Sequence, residues 1–310
     1  MKNISNGLTF LARHATKFLA AGVLIGLLLP PLADLMRPAL APAIFINLTL
    51  ALIRLDFGDV SVFLRRPVLL LLFTGFALFV SPIAMAGAVS AFGVSGGLAV
   101  GLVLMAASAP IASAPTFALI LGLDAAFAIA VVVLNHILLP FTLPVMALWL
   151  LGLELQISLI EFMGRLAFMI GGGFALAIVV KRWLLTPAAL HRHAGHMDGL
   201  MVVGLMVIGI AIMAGVTEFF FARPAFVLLT IAAAFTANAS LQVLGSLVFL
   251  PAGRRLAFTA GHMAGNCNMA LILAVLADRA QMEVVIFFAL AQLPMYMLPI
   301  VANRVYRRFL

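Results

Sequence analysis

The sequence predicts an all-α polytopic membrane protein with ten transmembrane helices in two inverted five-helix repeats. The first observation is composition: of the 310 residues, 65% are hydrophobic and 9% are charged, whereas about 25% are charged in an average soluble domain. The second is a series of continuous apolar runs long enough to cross a bilayer, unlike the alternating pattern of a β-barrel. The third is charge placement. With the N-terminus in the cytoplasm, fourteen of the 18 lysines and arginines fall in cytoplasmic segments and four outside.

These observations also narrow the classes of protein. The net charge of +8 is explained by basic cytoplasmic loops, so no nucleic-acid partner is expected. No protein partner is evident from the sequence. The protein is expected to be surrounded by membrane lipid. Cys267 is the only cysteine, which rules out an intramolecular disulfide and a cysteine metal cluster. The predicted location is a bacterial-type inner or plasma membrane with both termini in the cytoplasm.

The apolar runs and their charged or proline boundaries define ten helices in chain order. They cover about Lys17–Leu29, Pro38–Ile53, Arg65–Phe92, Gly96–Leu123, Asp124–Leu151, Ile157–Val180, Gly199–Val216 and Pro224–Leu250, then a ninth after Arg254 and Arg255, and a tenth at Val284–Ala302. Asp124 is predicted to cap the fifth helix. The segment from Lys181 to Asp198 is predicted to be the longest polar loop.

Two of these helices are interrupted. Helix 4 contains APIASAP, in which Pro110 and Pro115 each remove a backbone donor and break the helix. Helix 9 contains Thr259–Ala274, a polar cluster within an apolar run. Pro110 and Gly265 are 155 residues apart, half of the 310-residue chain. Matched interruptions in two inverted halves are typical of a secondary transporter's binding site; the alternative is that they only kink or pack the helices.

These motifs resemble those of the bile acid:sodium symporter family. Ala109-Pro110 followed by small residues resembles that family's APGGxASN signature in helix 4, and Cys267-Asn268 followed by Met269-Ala270-Leu271 resembles its QNxxLA signature in helix 9. The resemblance implies inverted repeats at 1–155 and 156–310, with broken helices 4 and 9 crossing. It implies a core of helices 3–5 and 8–10, a panel of helices 1, 2, 6 and 7, and organic-anion transport by alternating access with two sodium ions.

The family's sodium-site side chains are largely replaced in this chain. Met263 stands where the family has a glutamate, and Cys267 stands where it has the glutamine of QN. The other substitutions fall at Ala77, Pro115-Thr116, Ile129 and Val133. Sodium prefers oxygen ligands, which methionine, alanine, isoleucine and valine do not supply. The sequence therefore predicts no cofactor and no metal site, with sodium possible only through other ligands. Proton-coupled and uncoupled transport are the alternatives.

Polar residues inside the interrupted helices are the candidate site. Asn268 matches the family's helix 9 asparagine and is the first candidate for contacting substrate. Four further candidates for the substrate site share a polar side chain in an apolar run: Asn266, Ser113, Thr116 and Gln292. His262 and His136 lie within membrane runs and could carry protons, because histidine titrates near neutrality. Each of these side chains could instead form a structural hydrogen bond between helices.

The predicted function is secondary active transport of a small organic anion. A non-transporting membrane scaffold or sensor with the same fold is the alternative. An enzyme is not expected and no catalytic residue is predicted, because His262 has no nucleophile partner, metal set or nearby intramembrane carboxylate.

Overall fold

A computed structural model describes residues 7–11, 14–54, 67–152, 157–276 and 279–310. Within these ranges the chain is helical, and its only β-type pairing is one isolated bridge. The α-helices, numbered α1 to α16, are Ala15–Leu28, Pro30–Met36, Leu40–Arg54, Pro67–Gly75, Ser81–Ala91, Gly96–Ala107, Ala114–Ile120, Ala125–Leu151, Leu159–Val179, Pro187–Ala211, Val216–Ala222, Pro224–Val248, Arg254–Gly265, Met269–Leu276, Met282–Leu290 and Gln292–Phe309. Short 3-10 or π segments join several of them.

Seven helical stretches in the described part of the chain are long and apolar enough to cross a membrane. They are Pro30–Arg54, Pro67–Ala91, Ala125–Leu151, Leu159–Leu184, Arg192–Ala222, Pro224–Val248 and Met282–Tyr306. The prediction of an all-α membrane protein is therefore confirmed. Three predicted helices are absent from this set. Helices 4 and 9 are each divided into shorter pieces, and helix 1 corresponds to α1, which has 14 residues. The count of ten helices and the inverted repeat stay predictions.

The predicted polar loop at Lys181–Asp198 was wrong, because most of it is helical. A π-helical turn covers Val180–Leu184, and α10 begins at Pro187 rather than at Gly199. Thr186 starts this helix, since its Oγ1 accepts a hydrogen bond from the amide of Ala189 at 3.2 Å, and proline is favoured at the first helical position. Local capping thus outweighs the polar composition.

Contacts between Cα atoms divide the chain into two units. The first contains Met1–Leu55 and Ala167–Pro224, and the second contains Asp56–Leu166 and Ala225–Leu310. In the first unit, Arg54 and Asp198 form an ion pair with Nε and Oδ1 2.8 Å apart. Gly26 allows α1 to lie close to α10, since a Cβ there would be 2.7 Å from the carbonyl oxygen of Ile210.

The second unit contains both interrupted helices. An apolar cluster in this unit includes Phe73, Phe127, Val131 and Met263, all with almost no exposed surface. The continuous helix α8 passes through this cluster. It is capped by the preceding residue, Asp124, whose carboxylate accepts a hydrogen bond from the amide of Phe127 at 3.0 Å. The predicted cap at this residue is confirmed. Residues from both interruptions, including Ile111 and Ala264, belong to the same cluster.

Candidate functional site

The two interrupted helices pair through their backbones where each of them breaks. Helix α6 ends at Ala107 and α7 begins at Ala114, while α13 ends at Gly265 and α14 begins at Met269. The amide of Ile111 donates to the carbonyl of Asn266 at 2.8 Å, and the amide of Asn268 donates to the carbonyl of Ala109, also at 2.8 Å. Pro110 and Cys267 lie opposite each other in this antiparallel bridge. The breaks therefore satisfy part of each other's exposed backbone.

Proline is compatible with this pairing because its missing amide is not needed. The bridge uses the carbonyl of Ala109 and the amide of Ile111, which flank Pro110. Ser108, the residue that follows α6, already has an extended backbone with φ −79° and ψ 153°. The sequence Ala109-Pro110 thus ends α6 and presents an extended strand to the second break.

A chain of amide hydrogen bonds anchors the second break to α12. Asn238 donates from Nδ2 to the carbonyl of Gly265, the last residue of α13, at 2.8 Å. Gln242, one turn further along α12, donates from Nε2 to Oδ1 of Asn238 at 2.6 Å. The hydroxyl of Tyr306 donates to Oε1 of Gln242 at 3.4 Å. An orphan helix-end carbonyl is thereby satisfied in an apolar setting.

Asn266 and His262 form a local polar pair at the end of α13. Nδ2 of Asn266 donates to the carbonyl oxygen of His262 at 2.8 Å and lies 3.1 Å from its Nδ1. A nitrogen that accepts from an amide carries no proton, so the neutral imidazole has its proton on Nε2. That Nε2 and Oδ1 of Asn266 are buried without a hydrogen-bond partner among the described residues. The pair therefore presents one donor and one acceptor that are free.

A second imidazole approaches the break from α8. Nδ1 of His136 lies 2.8 Å from the carbonyl oxygen of Val132 and so carries the proton. Its Nε2 then accepts from Nδ2 of Asn268 at 3.4 Å. Oδ1 of Asn268 accepts from the amide of Leu271 at 3.3 Å and caps the first turn of α14. Asn268 consequently links a histidine of α8 to the start of a half-helix.

Several buried polar atoms without partners among the described residues belong to the breaks or to residues next to them in sequence. In addition to Nε2 of His262 and Oδ1 of Asn266, they include Oγ of Ser113, just before α7. Both amide atoms of Asn135 are likewise without partners among the described residues. Asn135 precedes His136 on α8 and has no exposed surface. The buried polar residues of the described chain are amides, hydroxyls and two imidazoles, with no carboxylate, ammonium or guanidinium. The donors and acceptors buried in the described part of the chain are therefore neutral.

In the described part of the chain, the side chains of two predicted site residues, Thr116 and Gln292, form no hydrogen bond with the residues of the two breaks. Thr116 is in the first turn of α7 and is exposed. Gln292 is buried at the start of α16, where its Nε2 donates to the carbonyl of Phe288 at 3.2 Å. Two positions compared with the family's sodium ligands have apolar surroundings, because Ala77 and Met263 lie in the apolar cluster around Phe73. The thiol of Cys267 donates to the carbonyl of Ala264 at 3.2 Å.

Sequence reasoning gave no role to Asn238 and Gln242. A signal for them exists in retrospect: two amides four residues apart on one helix can face two glycines four residues apart on another, Gly261 and Gly265. Among the described residues no three His, Cys, Asp or Glu side chains form a group that could hold a metal ion. Comparisons with protein-family models and with curated proteins return no match to this chain.

Proposed function

We propose that this protein is a secondary transporter of a small organic anion that works by alternating access, as its resemblance to the bile acid:sodium symporter family implies. One observation carries the proposal. Two broken helices pair at a crossing whose surroundings retain buried polar atoms without partners. Unsatisfied polar groups in an apolar setting cost about 1–3 kcal/mol each, so a site that keeps several of them is suited to binding a polar solute.

The spacing of helix starts supports two related halves. Pro224 comes 157 residues after Pro67, and Met282 comes 157 residues after Ala125. Cys267 follows its bridge partner Pro110 by the same interval. An inverted repeat with its solute site at the repeat interface accounts for this offset.

The available donors favour a carboxylate over a cation. Nε2 of His262, Oγ of Ser113 and Nδ2 of Asn135 can all donate, and the described buried residues include no acidic side chain that would repel an anion. The same residues include no fixed cation to neutralise it. His136 or His262 could supply that charge by taking up a proton, so the proposed transport is proton-coupled or uncoupled rather than dependent on sodium.

The test is binding followed by transport with purified protein. Thermal stabilisation is measured across a set of organic carboxylates, with sodium or an organic cation, at about pH 6 and about pH 8, on either side of the ordinary histidine pKa. Ligands that stabilise the protein are then tested for uptake and exchange in proteoliposomes. We expect carboxylate uptake that is independent of sodium and is lost in His262→Ala. Ser90→Ala, which changes an exposed residue near the end of α5, is the matched control and should transport normally.

Two results would contradict the proposal. If no carboxylate binds or is transported while a related transporter works in parallel, the scaffold or sensor alternative is favoured. If uptake requires sodium, the proposed coupling is wrong although the transport function stands.

A further inference from the structure

An apolar groove lies on the second unit, between α12, α13 and α16. Its volume is about 440 Å³. The lining is largely aliphatic and aromatic, with three polar side chains at Gln242, Ser246 and Tyr306. Several lining residues are substantially exposed, including Val243 at 58% and Val301 at 59%. In a membrane-spanning helix such exposed apolar side chains face lipid tails, so the groove is open to the hydrocarbon.

The groove extends to the end of the unit where α13 starts and α16 finishes. Phe258, in the first turns of α13, has its ring centroid 5.1 Å from that of Tyr306, near the end of α16. Both residues line the groove. Leu247, near the end of α12, lines it as well. Three helix ends therefore meet at one mouth of the groove, and positive-inside charge placement puts this mouth on the cytoplasmic side.

Two arginines stand one turn beyond the apolar lining at this mouth. Arg254 precedes Phe258 by four residues on α13, and Arg308 follows Val305 by three residues on α16. Residues three or four apart occupy the same face of a helix. Both arginines are exposed. An apolar groove thus continues into a pair of positive charges where lipid headgroups lie.

We propose that this groove binds an anionic glycerophospholipid. One acyl chain lies along the apolar lining, and the phosphate is bound by Arg254 and Arg308. Charge complementarity selects this occupant, because guanidinium groups pair with phosphate and basic pockets between membrane helices on the cytoplasmic side recognise anionic headgroups. The inference rests on the membrane location and on these residues, and it does not depend on the proposed transport.

The bound acyl chain would also contact residues that lead to the crossing. Tyr306 and Gln242 line the groove, and hydrogen bonds connect them through Asn238 to the carbonyl of Gly265 at the end of α13. Binding to the folded groove stabilises the native protein by mass action. An anionic lipid is therefore expected to raise the thermal midpoint of the purified protein as well as to remain bound.

The test uses purified full-length protein and two lipid probes, phosphatidylglycerol and phosphatidylcholine. Retained lipid is counted by native mass spectrometry, and thermal midpoints are measured with each lipid. We expect wild-type protein to prefer phosphatidylglycerol, and the double variant Arg254→Gln with Arg308→Gln to lose that preference by on the order of tenfold. Arg255→Gln is the matched control, since this neighbouring guanidinium donates to the carbonyl of Leu123 at 3.1 Å instead.

A second variant separates the tail from the headgroup. Ala239→Phe fills the groove without changing charge and should reduce retention of both lipids, whereas Leu72→Phe, which fills a different apolar groove of about 600 Å³, should not. Equal retention of the two lipids by wild-type protein would overturn the proposal. So would an undiminished phosphatidylglycerol preference in the double arginine variant, or unchanged retention in Ala239→Phe.

Discussion

The side chain of Asn268 joins His136 to the first turn of a half-helix. Its Nδ2 lies 3.4 Å from Nε2 of His136, and its Oδ1 lies 3.3 Å from the amide of Leu271. The Asn268 side chain therefore contacts His136 on α8 and caps α14 at the same time. A protonated His136 would require an acceptor in place of the Asn268 amide nitrogen, and Oδ1 could serve only by leaving Leu271. Histidine protonation and helix capping therefore compete for one oxygen atom.

Substitutions at Asn268 should separate these two roles. Asn268→Ala removes the cap and should lower the free energy of unfolding by about 1 kcal/mol. Asn268→Ser keeps a capping oxygen but is too short to reach His136, so its stability should be close to that of the wild type. Both variants should lose carboxylate-induced thermal stabilisation and uptake. Full uptake by the serine variant would contradict a role for the contact with His136.

The pairing of Pro110 with Cys267 can be tested by a disulfide. In an antiparallel bridge whose hydrogen bonds flank the paired residues, the Cα atoms are about 4.5 Å apart, within the range of about 4.4–6.8 Å that disulfides span. Pro110→Cys should therefore form a disulfide with the native Cys267 after mild oxidation, detected by mass spectrometry of the linked peptides. The bridge uses no amide at position 110, so the substitution itself removes no hydrogen bond.

A cysteine in α7, the half-helix that follows this break, provides the control for the cross-link. Pro115→Cys lies in the first turn of α7 and should stay unlinked under the same conditions. Oxidation of Pro110→Cys should also block uptake, and a reductant should restore it. Free thiols at both positions after oxidation, shown by alkylation of the denatured protein, would mean that the breaks do not pair in the membrane.

The interface between α12 and α13 requires a glycine at position 261. A Cβ there would collide with Oγ of Ser246 and with the carbonyl oxygen of Gln242. Gly261→Ala should therefore destabilise the protein by about 1–3 kcal/mol through overpacking. Gly87→Ala is the matched control, because nothing lies within 4 Å of its added Cβ and alanine is the better helix former. A similar midpoint for both variants in thermal unfolding would argue against close packing at Gly261.

The helical membrane fold and the two breaks could be predicted from sequence. The residues that pair across the breaks, and those that bond to them, could not. Continuous apolar runs fix helix type, and Pro110 marks a break because it cannot donate. The sequence placed the opposite break at Gly265, whereas the backbone pairs Pro110 with Cys267. That register depends on how the second break extends, which no local pattern encodes. The hydrogen bond from Asn238 to Gly265 was likewise hidden, because it joins residues 27 apart through helix packing.

The hydrogen bonds that link Asn238, Gln242 and Tyr306 should contribute unequally to the free energy of unfolding. Asn238→Ala leaves the carbonyl of Gly265 and Nε2 of Gln242 without partners and should cost about 1–3 kcal/mol or more. Tyr306→Phe removes a hydrogen bond of 3.4 Å and should cost less than about 1 kcal/mol. Thermal and denaturant unfolding in detergent would measure both. The reverse order would mean that Tyr306, rather than Asn238, holds the end of α13.

Asn135 offers a test that distinguishes a solute site from a structural core. Both of its amide atoms are buried without partners among the described residues, and each such group costs about 1–3 kcal/mol. Asn135→Leu has the same branched shape without polar atoms, so stability should be unchanged or higher, while carboxylate binding and uptake should fall. Thr74→Val removes another buried unpartnered oxygen on α4, away from the breaks in sequence, and should gain stability without losing uptake.

If Asn135→Leu instead destabilises the protein and leaves uptake intact, Asn135 has a structural partner and does not contact solute. A variant that is more stable yet inactive would show that the unpaired amide is retained for binding.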